Sequence, residues 1–365
     1  MSAAGSFGVA WPEFNDGISY HDTISRPHAG QTLIHFYSSK HKSSAPLQGW
    51  LQRIENRQIC VDGEVATDPD MVLRDGAELV YRRMSWKEPD APYLLQVLYE
   101  DDDLIALNKP SGLQVLPGGL FQQRTVLTQL LWHASESGEL VPVQESHAIP
   151  VHRLGRGTSG VLLCAKTKLA KVRLAACFAG ATSVLRSNRV MNQQPEKESR
   201  ITKVYRALTS GIIERNEIVI NQPIGMIRYP GVARGLYVAL CSGKPALSKV
   251  TVLERNMQKN ETLVQVEIQS GRPHQIRIHL AFIGHPLLGD PLYSAGGQPS
   301  FSDCELEDES FAEDGGYARP AKPVPGDCGY HLHAHRVALS LPTRNEVIHI
   351  TAPLPSPLKM INEDA

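Results

Sequence analysis

Four strings hold most of the side chains that could do chemistry: NKPSGL at 108–113, HRLGRGTSG at 152–160, KVYRA at 203–207 and GRPHQIRIHLAFIGHPLLGDPLY at 271–293. Two further strings, KPALSKV at 244–250 and LHAHRVAL at 332–339, follow the same style of mixed basic and apolar residues. Metal chemistry is not indicated: the six cysteines are scattered with no CxxC pair, and no His/Asp/Glu spacing suits a metal site. Taken singly, Tyr205 reads as a core aromatic, and His152, His274 and His279 read as structural. Arg277 and Leu280 lie three residues apart and so share one face of a helix, whose apolar surroundings favour a buried arginine with a partner. Ser270 is a plausible N-cap for that helix, with Pro273 near its first turn. Asp290 in GDPLY and the Asp101, Asp102, Asp103 run read as turn residues.

The elements that must position these residues follow from local pattern. From Leu95 onward short strands dominate: LLQVLYE, DLIALN, IPVHRL, VLLCAK, KVYRALTSGII, SKVTVLER and TLVQVEIQ, with Pro110, Ser111 and Gly112 breaking one ladder and GRGTSG forming a turn. LAKVRLAACFAG predicts a helix stopped at Gly180, and HQIRIHLAFIG one stopped at Gly284. The pattern is mixed α+β, not a regular alternation of strand and helix. Ahead of it, residues 29–84 predict two short helices and a small sheet turning at Asp62 and Gly63. Residues 1–28 read as an irregular extension and SWKEPDAPY as a linker. Two segments look inserted, about 187–200 and 297–328; the acidic part at 301–327, with eight Asp+Glu against two Lys+Arg, predicts a disordered loop without catalytic residues.

The 365 residues, 42% apolar and 21% charged, suit two folded domains without staples. A net charge of -1 conceals segregation: residues 151–280 carry 21 Lys+Arg against 7 Asp+Glu. Such a block points to a polyanionic partner. No apolar run is long enough for a membrane span, and the start lacks the pattern of a secretory signal. The expectation is an intracellular protein of the cytoplasm or nucleus, an organelle being left open.

The six strings, in this order and spacing, look like the RluA-type pseudouridine synthases over about residues 93–355. The resemblance implies the pseudouridine synthase fold, a mixed and largely antiparallel sheet with a central RNA-binding cleft. It implies isomerisation of uridine to pseudouridine in rRNA or tRNA: the N-glycosidic bond breaks, the uracil turns, and C5 joins C1′, with no metal and no organic cofactor. Residues 29–84 resemble the S4 RNA-binding module, a small α+β domain, in which Lys40, Lys42, Arg53 and Arg57 are candidate phosphate contacts.

By resemblance, Tyr205 is the residue that stacks on the target base and takes the C5 proton. Arg277 is the arginine that pairs with the catalytic Asp. That Asp follows His-Arg-Leu in the family, and here the position is Gly155, so Arg277 is expected to lack its partner and to border a small polar void. Two readings follow: a synthase that has compensated, by a carboxylate from another loop or an anion beside Arg277, or an RNA-binding pseudoenzyme. Leu280 is expected in the pocket. RNA contacts are assigned to Arg153, Arg156, Lys166, Lys168, Lys109 and Lys203, with Arg156, Lys166 and Lys168 lining the cleft. RNA is the one expected partner, with no membrane or metal, and a monomer is expected.

Overall fold

Leu104–Lys109 and Ser159–Ala165 are buried along nearly their whole length, which requires cover on both faces of the sheet they share. Alternate residues feed two cores. Ile105, Leu107, Leu162 and Cys164 point into one apolar cluster, while Leu104, Ala106, Val161 and Leu163 point into another, closed by Ala170 and Leu174 of the Lys168–Ser183 helix. The computed structural model describes residues 5–42, 44–136, 147–183, 201–229, 232–268, 271–299, 311–320, 327–340 and 347–363. The 187–200 insertion and Ser270 lie outside them.

An eleven-stranded sheet forms the body. Its path runs Ser6–Phe7, Leu95–Glu100, Leu104–Lys109, Ser159–Ala165, Leu332–Ser340, Ile201–Ser210, Glu261–Ile268, Ser248–Asn256 and Glu217–Ile220; Val347–Thr351 and Ile149–Pro150 pair off this path. The pairings are antiparallel except one, Ser159–Ala165 against Leu332–Ser340, which is parallel. This is the mixed, largely antiparallel sheet that the resemblance implies. At the parallel junction Gly160 has φ 103°, and a Cβ there would lie 2.2 Å from the Ala334 carbonyl oxygen, so only glycine lets the strands meet. The expected strand at IPVHRL is only Ile149–Pro150. The Lys168–Ser183 helix runs past Gly180. The Gln275–Phe282 helix ends before Gly284, as predicted, but its N-cap is His274 in a left-handed conformation (φ 54°).

A separate apolar core, with Leu33, Phe36, Trp50 and Leu79 at its centre, holds together the helices Leu33–Lys40 and Leu47–Glu55 and a four-stranded sheet. The described part of the expected irregular extension, residues 5–28, is ordered into sheets: Ile18–Thr23 is the edge strand of this small sheet and Ser6–Phe7 the edge strand of the large one. Hydrogen bonds fix the stretch between them, with Gln129 accepting from the Val9 amide (2.8 Å) and donating to its carbonyl (2.7 Å). Residues 85–93 are not a loose linker. Trp86 and Glu88 are both buried, and Glu88 accepts hydrogen bonds from the Gln122, Gln123 and Arg124 amides and the Asn15 side chain. Within the acidic insertion, Phe311–Glu313 and Ala318–Pro320 form a hairpin, whose buried Asp314 lies between Arg53 and Arg83 of the small unit. Arg53 is therefore fully buried and not a phosphate contact. No helix among the described residues is long and apolar enough to cross a membrane.

Candidate active site

Ala334 sits between Gly160 on one neighbouring strand and Tyr205 on the other, so the parallel junction fixes where the site opens. Between Val204 and Tyr205 the register shifts, a bulge that re-aims the side chains around it. Tyr205 thereby lines a cavity of about 640 Å³ that also reaches Arg153, Gly155, Arg156, Arg277 and Tyr330. That volume falls within the roughly 300–1,000 Å³ of small-molecule sites, enough for one turned-out nucleotide. Burial pushes the Tyr205 phenol up to about 12, so it rests protonated at neutral pH. It can accept a proton only by passing its own on.

Arg277 has a partner, contrary to the expectation. Its Nε donates to Asp290 Oδ2 and its Nη2 to Asp290 Oδ1, each at 2.7 Å, a bidentate pair with side chains 3% and 1% exposed. Burial opposes the guanidinium charge, but the bonds and charge of Asp290 outweigh it and its pKa is raised. Asp290 also accepts the amides of Leu292 and Tyr293, so it does serve a turn as well. The rings of Tyr330 and Tyr293 lie 4.2 and 5.0 Å from the guanidinium. The expected polar void beside Arg277 is thus filled by a carboxylate and two aromatic faces.

Gly155 opens the turn that carries the cavity wall, with the Thr158 amide donating to its carbonyl at 3.0 Å. Its backbone is not in the left-handed region. A Cβ there would nonetheless lie 2.8 Å from the Tyr330 hydroxyl, so the space a side chain would fill is taken. Two residues on, a Cβ at Gly157 would lie 2.7 Å from the Asp327 carbonyl oxygen. Both glycines let residues 327–330 pack onto the turn. Asp327, in the segment expected to carry no functional residue, also lines the cavity: its Oδ1 accepts from Arg156 Nε (2.9 Å) and Nη2 (2.7 Å).

The other assigned residues divide. Arg153 and Arg156 line the cavity. Lys109 does not reach RNA, because it is fully buried and donates to the carbonyls of Pro110, Leu113 and Arg156, a clamp across the motif turn; burial lowers its pKa to about 7. Lys203 is also buried, beside the Phe178 ring, and burial lowers its pKa to about 8. Lys166 and Lys168 do not line the cleft: they follow the far end of the seven-residue Ser159–Ala165 strand, about 20 Å from its cavity end at the rise of an extended chain. Lys166 pairs there with Glu100 at 2.8 Å. Leu280 is fully buried in the main core and does not line the cavity.

The three histidines are structural. His152 accepts from the Leu163 amide at 3.0 Å, His274 bonds the Tyr293 hydroxyl at 2.8 Å, and His279 bridges Ser248 Oγ and the Gln222 carbonyl. Because the Tyr293 proton is given to the Tyr237 carbonyl at 2.7 Å, His274 Nδ1 must be the donor in its bond. Burial lowers His152 to about 3 and His274 to about 4. The described residues contain no group of three His, Cys, Asp or Glu able to hold a metal ion.

A family model described as RNA pseudouridylate synthase matches residues 103–282, which spans the motif turn, the Tyr205 strand and the Arg277 helix. The chain is 63% identical to RNA pseudouridine synthase 5 of Arabidopsis thaliana over 353 residues, 95% of each chain. It is also 63% identical to RNA pseudouridine synthase 5 of Oryza sativa subsp. japonica over 367 residues, 98% of this chain and 92% of the other. A more distant relative, ribosomal large subunit pseudouridine synthase D of Vibrio parahaemolyticus, is 30% identical over 327 residues, 88% of this chain and 86% of the other. With its mixed sheet and the cavity at the sheet's parallel junction, this chain belongs to the RNA pseudouridine synthase family.

Proposed function

We propose that this chain isomerises uridine to pseudouridine in RNA, with Tyr205, Arg277 and Gly155 at the reacting nucleotide. The single observation that carries this reading is the convergence of those three residues on one cavity at the parallel junction. Tyr205 offers a ring face for the uracil, and a stacked base is held by about 1–3 kcal/mol. Arg153, beside the motif turn, receives a flanking phosphate, while the Arg156 guanidinium is committed to Asp327. Gly155 occupies the position of the family's catalytic Asp, so the missing carboxylate must be replaced. The pseudoenzyme reading is disfavoured by 63% identity, over nearly the whole chain, to proteins named as synthases.

The small unit, with two helices ahead of a short sheet, acts on this reading as an S4-like RNA-binding module. Lys42 and Arg57 are its exposed candidates for phosphate contact. Lys40 is partly committed, to Asp22 at 2.7 Å.

The test is tritium release from total RNA labelled at uridine C5, from cells lacking the protein, on adding purified wild-type chain. Release with matching pseudouridine in the digested RNA is the expected result. No release from any RNA class would overturn the activity.

A further inference from the structure

Breaking a bond between a base and C1′ leaves an electron-deficient carbon, and chemistry of that type is served by a carboxylate held beside it. Among the described residues the cavity is lined by one carboxylate, that of Asp327. Asp290 is withdrawn from the cavity and saturated by Arg277 and two amides. Tyr330, whose hydroxyl meets the turn at Gly155, is kept a neutral phenol by burial, which raises its pKa, although Arg277 pulls the other way.

We propose that Asp327 is the catalytic carboxylate of this chain, presented to C1′ of the target nucleotide by the segment that docks on Gly155 and Gly157. The assignment rests on the synthase reading above. Three features support it. The side chain is 45% exposed, and all its contacts among the described residues fall on Oδ1: two bonds from Arg156 and a 3.8 Å contact from Cys328 Sγ. Among the described residues Oδ2 carries no hydrogen bond or ion pair. The cation that aims it is fixed in turn, because the Arg156 carbonyl accepts from buried Lys109 at 3.1 Å and its guanidinium lies 4.7 Å over the Phe121 ring. Finally, residues 327–330 are seated where a Cβ would intrude: on the Tyr330 hydroxyl at Gly155, and on backbone at Gly157 and Gly289, the last 2.4 Å from the Gly329 carbonyl oxygen.

In the reaction the N1–C1′ electron pair leaves with uracil N1, and the carboxylate offsets the positive charge that develops at C1′. After the uracil turns, C5 gives an electron pair to C1′. The proton on C5 is then removed and N1 takes one up. Substrate and product are isomers, so no oxidant, reductant or further reactant enters.

The experiment compares wild type, Asp327→Asn and Asp327→Glu for C5 tritium release and for RNA binding. Asp327→Asn should lower the rate by on the order of a hundredfold or more, with RNA affinity within about threefold, as expected when a charge acts mainly on the transition state. Asp327→Glu should recover part of the rate. An Asn variant with near-wild-type rate would overturn the assignment and leave the synthase reading standing. An Asn variant that loses rate and affinity in equal measure would also overturn it, since the carboxylate would then serve binding. An inactive wild type that still binds RNA removes the synthase reading, and the assignment falls with it.

Discussion

Tyr205 and Arg277 could be chosen from the motif strings because their types are rare in such apolar settings, but what each touches could not. The partner of Arg277 lies thirteen residues along, in a stretch that reads as a turn; the signal was there in a lone aspartate just after a buried-helix arginine. Asp327 was hidden by its neighbourhood, since an acidic and Pro/Gly-containing composition describes the average behaviour of a segment and not the one side chain that folds back on the core. Two outcomes belong at this scale. Replacing Asp290 by Asn removes the charge facing a guanidinium that is 3% exposed, which should destabilise the protein by about 3–5 kcal/mol, read as a drop in the chemical-denaturation midpoint. Tyr205→Phe should keep RNA affinity and lose tritium release, while Tyr205→Ala should also weaken binding, by about 1–3 kcal/mol; a Phe variant that releases tritium at the wild-type rate would show that the hydroxyl moves no proton.

Strands and helices were mostly legible, because alternation and apolar runs report burial directly. The exceptions have physical causes. IPVHRL reads as a strand by residue type, yet beyond Pro150 the chain bends so that His152 can cap the Leu163 amide. The helix from Lys168 passes Gly180 because a glycine ends a helix only where the chain takes the left-handed turn, which Gly180 does not. Several elements are pinned by histidines that burial holds neutral: His152 between strands, His274 at the start of the Gln275–Phe282 helix, and His333 against Ser159 at 2.8 Å, its pKa lowered to about 4. An unfolded histidine titrates near 6.5, so between about pH 6.5 and 4 the unfolded chain binds more protons than the folded one, and stability must fall as pH falls. The melting temperature should therefore decline from pH 7 to pH 4.5, and His274→Gln should reduce the slope. An unchanged slope would mean that His274 titrates in the fold as it does in the unfolded chain.

For the molecule as a whole, the basic block and the acidic insertion were visible as charge, and charge reported a polyanionic partner correctly while misplacing the residues. Two of the assigned cations are buried and two lie at the wrong end of a strand, so the phosphate contacts must be fewer than the block suggests. Each contact contributes about -0.7 to the slope of log affinity against log salt for single-stranded RNA, and Arg153→Ala should make the slope shallower by about one such step. No change would move Arg153 off the phosphate path. How the chain threads its two sheets was not legible. Because Ser6–Phe7 pairs with Leu95–Glu100, the small unit is spliced into the large one between its first two rungs. During synthesis that first rung must wait, unpaired, for some ninety residues before its neighbour emerges. A version of the protein begun at residue 18 would keep the buried residues of both cores, lose Phe7 and Trp11 from the flank of the larger one, and leave the Leu95–Glu100 strand as a bare sheet margin, with backbone amides and carbonyls available to any passing copy. It should melt below the wild-type temperature, since the packing and hydrogen bonds of Phe7, Trp11 and Asn15 are lost, and turn turbid at concentrations the full chain tolerates, which makes the Ser6–Phe7 strand a guard against self-adhesion.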